Sequence, residues 1–168
     1  MKNYTHILAI KVIVVFVFIF SITGNPQSKP NSIYFEALGN GGLYSVNYDR
    51  LFTESFGGRI GFSYLSEISL IFSSINDFLS VPITLNYFLG NGSHKFELGA
   101  GVVYASFSGG DFLGFETNSG SSNVAGTATI GYRYQKADGG FLFRAGFTPL
   151  FNNEGFFPFG GISFGFGF

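Results

Sequence analysis

The sequence predicts an all-β fold, an eight-stranded antiparallel up-and-down transmembrane β-barrel. Three observations predict it. Only 11% of the 168 residues are charged, against about a quarter in a typical soluble domain. Aromatic residues make up 20%, with 24 Phe and 25 Gly. Beyond the N-terminal segment there is no apolar run of the roughly 18 residues that a helical span needs. A chain this apolar, without long apolar runs, has to alternate apolar with small and polar residues, as a membrane barrel does.

The N-terminal segment reads as a targeting signal. Lys2 and Lys11 precede the apolar stretch 12–20, and small and turn residues follow at 21–26. A basic start, a short apolar core and a small-residue end describe a cleaved secretory signal peptide. We place it at 1–24, with cleavage after Thr23 or Gly24. The other reading, a permanent anchor, needs a longer apolar core. Residues 25–31 are polar and Pro-containing and form a short linker. Residues 32–168 form the barrel domain. The net charge of −1 does not point to nucleic acid. With no cysteine there is neither a disulfide nor a thiolate metal site.

Successive side chains on a strand point to opposite faces, and that parity marks the strands. At 96–105, Phe96, Leu98, Ala100, Val102 and Tyr104 share one face; Glu97, Gly99, Gly101, Val103 and Ala105 share the other. The same rule holds at 81–89, 124–135, 141–148, 162–168, 59–64 and 43–51. An eighth strand at 33–39 runs into Asn40-Gly41-Gly42, a strong hairpin signal. A single bent strand over 33–51 is the alternative. The connections alternate short (53–57), long (66–78), short (90–93), long (107–122), short (136–139) and medium (151–157). Outer-membrane barrels have short periplasmic turns and longer external loops. A periplasmic N-terminus then requires the separate strand at 33–39, and the count becomes eight.

Bulk decides which face is outside. Phe141, Phe143, Phe147, Phe164, Phe166, Tyr132 and Tyr134 share the apolar parity, while the other parity is mostly Gly, Ser, Thr and Ala. An eight-stranded interior is just wide enough for side chains to fill. The bulky set therefore faces lipid. Aromatic girdles follow at the two rims. Tyr48, Phe52, Tyr87, Phe96, Tyr132, Tyr134, Phe141 and Phe168 lie towards the periplasm; Tyr44, Tyr64 and Tyr104 lie towards the outside.

The rhythm of strands over 33–168, ending in Ile162-Ser163-Phe164-Gly165-Phe166-Gly167-Phe168, resembles the small outer-membrane barrels of Gram-negative bacteria. That broad group includes the OmpX, OmpW and OmpA-barrel types. The stretch 36–50 is similar to the opening of barrel domains common in Bacteroidetes. The resemblance implies residence in the outer membrane and contact with its lipid and lipopolysaccharide. It also implies recognition of the terminal Phe168 strand by the outer-membrane assembly machinery.

Glu36, Asp49, Arg59, Lys95, Glu97, Arg133 and Arg144 fall on the inward parity. A charge in a narrow lumen is costly unless paired, so these residues read as a salt-bridged plug, with Glu97 expected to pair with Arg133. A charged constriction selecting ions or small solutes is the alternative. A lipid-modifying enzyme is the third reading. Ester hydrolysis would call for Ser, His and a carboxylate together near lipid. The one His of the mature chain, His94, instead follows Ser93 at a short periplasmic turn, so no catalytic residue is assigned. Asp77, Asp111, Glu116 and Glu154 are scattered over the external loops, Asp111 and Glu116 in the same one, and read as solvated carboxylates, without a metal. No cofactor is implied, since no phosphate-binding Gly motif precedes a helix. The aromatic loops 107–122 and 151–157 are candidates for contact with a surface partner. The expected role is non-enzymatic, structural or in surface interaction.

Overall fold

The computed structural model describes residues 29–70, 73–107, 110–112, 115–117, 121–153 and 155–168. The expected signal peptide and most of the linker lie outside the described residues. The strands are β1 (Asn31–Leu38), β2 (Tyr44–Leu51), β3 (Phe56–Leu70), β4 (Ser73–Leu89), β5 (His94–Phe107), β6 (Gly110–Phe112) and β7 (Phe115–Thr117). They continue with β8 (Ser121–Gln135), β9 (Gly140–Phe147), β10 (Leu150–Asn152), β11 (Gly155–Phe157) and β12 (Gly160–Gly167). Eight of them form the wall, in the cyclic order β1-β2-β3-β4-β5-β8-β9-β12, each antiparallel to its neighbours. Closure is made by β1 on β12, in register from Ser32↔Gly167 to Leu38↔Gly161. A closed sheet has no edge and satisfies its backbone internally, which is what a strand-built membrane span requires. No helix among the described residues is long and apolar enough to cross a membrane.

The barrel is inside out relative to a soluble domain. Ile33, Phe35, Phe62, Ile83, Leu85, Phe141, Phe164 and Phe166 are exposed on its outer face. Among the described residues the buried hydrophobic side chains include Tyr34, Leu65, Phe78, Phe88, Val103 and Leu142, and buried polar and charged residues outnumber them. Period-2 alternation produces this directly, since bulky side chains on the outward parity leave the polar ones no place but the lumen. The lumen is not filled by small residues alone. Tyr34 and Phe88 occupy it as well, and Gly165 makes room for Tyr34. A Cβ at Gly165 would stand 2.3 Å from the Cβ of Tyr34.

Residues 33–51 form two strands, as the loop parity requires. The connection between them is no exposed hairpin, however. Leu38 takes φ 60° and Gly39 φ 91°, and residues 39–42 are buried. The turn folds into the barrel mouth, where the Gly41 carbonyl accepts from Ser80 Oγ (2.8 Å) and Asn40 Nδ2 donates to Thr127 Oγ1 (2.6 Å). Gly39 is required twice over: its φ is left-handed, and a Cβ there would meet the Glu36 carboxyl carbon at 2.7 Å.

Three expected loops carry more strand than the sequence shows. Residues 66–78 are mostly ladder, with Ser66↔Asp77, Ile68↔Ile75 and Leu70↔Ser73 paired between β3 and β4. Ser-rich composition hides a ribbon held by its backbone. The β6–β7 hairpin lies within 107–122, and the β10–β11 hairpin spans most of 151–157.

Candidate functional site in the barrel lumen

Three arginines on the inward parity organise the lumen. Arg133 (β8) reaches across the full diameter to Asp49 (β2), four strands away around the wall. Its Nη1 donates to Asp49 Oδ2 (2.9 Å) and its Nη2 to Oδ1 (3.0 Å). Nε donates to Gln135 Oε1 (2.8 Å), and Nη2 also reaches Ser32 Oγ (3.3 Å). Its guanidinium carbon lies 4.8 Å from the centre of the Phe88 ring, a cation–π contact. Arg144 (β9) forks onto Glu97 (β5), Nε to Oε2 at 2.8 Å and Nη2 to Oε1 at 2.7 Å. Its remaining Nη1 donates to the Tyr34 hydroxyl at 2.7 Å and stands 3.6 Å from Glu36 Oε1. Arg59 (β3) donates from Nη2 to Glu36 Oε2, from Nε to Asn47 Oδ1 (2.9 Å) and from Nη1 to Asn40 Oδ1 (3.1 Å).

Charge is balanced within this set, with Arg59, Arg133 and Arg144 against Glu36, Asp49 and Glu97, all buried. The balance matters, because the desolvation of each ion is repaid only by close partners and further hydrogen bonds. Lys95 lies at the mouth nearer the chain termini. Its Nζ donates to the Glu54 carbonyl (3.0 Å) and stands 5.7 Å from the Phe88 ring centre.

The expected Glu97–Arg133 pair is not formed. Glu97 takes Arg144, and Arg133 takes Asp49. The register gives the reason: Arg133 stands opposite Lys95, and Glu97 opposite Gly131. Asp49 and Arg59 are direct cross-strand neighbours, yet each pairs elsewhere. In so narrow a lumen a long guanidinium reaches a distant strand as readily as the next one. Sequence reasoning also passed over Tyr34, Phe88, Asn40, Asn47 and Gln135. Their signal was parity: Tyr34 alternates with the outward Ile33 and Phe35 and sits in step with Ser32 and Glu36.

Of the girdle residues, Tyr64, Tyr87, Tyr104, Tyr132 and Phe168 are exposed, and Tyr44, Tyr48 and Tyr134 are half-buried. Tyr48 donates to Asn31 Oδ1 (2.8 Å) near the termini; Tyr44 donates to the Tyr64 carbonyl and Tyr64 to Asp77 Oδ1 (3.2 Å) near the other end. His94 is exposed, with Nδ1 2.6 Å from the Tyr132 hydroxyl and no carboxylate bonded to it among the described residues. No group of three metal-binding side chains occurs among the described residues.

Fold and lumen together define a small membrane-type barrel with a filled, ion-paired interior. No family model and no curated protein matches the chain. Solved structures do. The N-terminal β-barrel domain of Pseudomonas aeruginosa OprF is similar at a TM-score of 0.59 and 16% identity, over 83% of this chain and 98% of that one. The Yersinia pestis outer membrane protein Ail, in phospholipid nanodiscs, is similar at 0.53 and 13%, over 83% and 99%. The chain thus has the fold of the small outer-membrane barrels.

Proposed function

We propose that this chain is an integral outer-membrane protein with a closed lumen and a non-enzymatic role, structural or in surface interaction. One observation carries the reading, the Arg133–Asp49 bridge across the lumen within a charge-balanced, buried network. A solute path would have to break ion pairs whose members are all buried. In this reading residues 1–24 are a cleaved signal peptide and 25–31 lead into the barrel. The end with both termini and the short turns faces the periplasm, where the assembly machinery reads the Phe168 strand. The opposite end meets lipopolysaccharide and any surface partner. No lumen side chain is given a catalytic role.

Single-channel recording in a planar bilayer tests it, on refolded residues 25–168 whose unheated gel mobility shows a folded barrel. The expected outcome is no unit conductance. Stable steps that change with Asp49→Asn would overturn the reading and make the lumen a narrow pore.

A further inference from the structure

Beside the Arg144 fork lies a small cavity of about 10 Å³, lined in part by Glu36, Glu97, Thr129, Thr148 and Ser163. That is about the least space that holds one water molecule, and too little for two. Thr129 Oγ1 and Thr148 Oγ1 are both buried and have no protein partner among the described residues. A buried hydroxyl left unpaired bears its whole desolvation cost, so two threonines with such hydroxyls lining one void point to a ligand that both can reach.

Valence and charge identify that ligand. Glu97 accepts two hydrogen bonds, both from Arg144. Glu36 accepts from Arg59, Ser45 (3.4 Å) and Ser163 (3.3 Å). A carboxylate has about four acceptor sites, so each retains capacity. What fits between them has two donors for two carboxylates and two lone pairs for two hydroxyls. The three buried arginines already neutralise the three buried carboxylates. A cation would leave the lumen positive, and an anion would meet Glu36 and Glu97.

We infer that one ordered water molecule occupies this cavity, donating to Glu36 and Glu97 and accepting from Thr129 and Thr148. It bridges β1, β5, β8 and the residue that follows β9, and it gives two like charges that share Arg144 a common donor. The inference goes beyond the closed-lumen reading. A conducting barrel that still held this water would sink that reading and leave this one standing.

Water-selective NMR on the detergent-refolded protein, with labelled threonine methyls, tests it. Cross-peaks from a long-lived water are expected at both the Thr129 and Thr148 methyls. They should persist in Thr148→Ser at Thr129 and weaken there in Thr148→Val, which keeps shape and loses the hydroxyl. Absence of any water cross-peak at these methyls in the folded wild-type barrel would overturn the inference. So would a crystal map with the cavity dry and both hydroxyls turned onto backbone carbonyls, or with a peak at cation distances, well below the roughly 2.7–2.8 Å of an O–H···O contact.

Discussion

The barrel is closed in two places by different physics. Towards the termini the lumen is shut by ions, Arg133 on Asp49 with Gln135, Ser32 and the Phe88 ring around them. At the other mouth it is shut by apolar packing, where Leu65 and Phe78 are buried against Leu43, Tyr44 and Ala105 above the inward turn. The outer wall gains little from the hydrophobic effect, because lipid tails are as apolar as its side chains. At the mouth the alternative solvent is water, so burying Leu65 and Phe78 stabilises by about 1.5–3 kcal/mol each. The comparison teaches that one small barrel can place a soluble-type apolar cluster at a mouth where its lumen opens to water. Its middle depends on geometry and charge instead.

Breaking the ionic closure has the largest expected effect. Asp49→Ala leaves Arg133 buried and unpaired and should destabilise by about 3–5 kcal/mol, read as a fall in the urea midpoint of the refolded barrel. Removing both charges with Asp49→Leu and Arg133→Met should restore most of it, because the desolvation cost disappears along with the pair. A double variant as unstable as Asp49→Ala would show that geometry, and not charge, sets the cost. The apolar closure comes next. Phe78→Ala should cost about 3 kcal/mol, part of it from the cavity left behind. That loss should be the same at low and high salt. A marked salt dependence would mean that the cap acts through the ions below it. The smallest effect sharpens the comparison within the ionic part. A double-mutant cycle on Glu97 and Arg144 should return a coupling of about 1–3 kcal/mol, and one on Glu97 and Arg133 less than about 0.5 kcal/mol. Equal couplings would favour a diffuse charge cloud over discrete pairs.

Much of this architecture is legible in parity alone. Counting every second residue through Ile83, Leu85 and Tyr87 assigns both faces of β4, and loop lengths separate β1 from β2. Parity also puts Glu36, Arg59 and Arg144 on one side of the wall. It does not say who pairs with whom, because stagger between strands sets the depth of each side chain and a guanidinium can cross the lumen. The inward turn is hidden for a different reason. Asn40-Gly41-Gly42 has hairpin chemistry whether it points to solvent or into the mouth; what goes with the second is long-range, Leu43 packed against Leu65 and Phe78 and the turn bonded to Ser80, Thr127 and Arg59. The ribbon over 66–78 is hidden because Ser66, Ser69, Ser73 and Ser74 resemble loop composition, while ladder bonds take no account of side-chain identity.

The seam between β1 and β12 has a consequence for how the molecule comes into being. These strands are the first and last of the barrel, almost the whole domain apart in sequence, yet they pair along seven residues of β1, from Ser32 to Leu38. Contacts between such distant segments carry a high loop-closure cost and form late. Until the last strand arrives, β1 has one raw edge, and Glu36 lacks Ser163 beside it. Folding of this chain is therefore a single commitment: β12, Gly160–Gly167, decides whether the wall strands before it become a barrel at all.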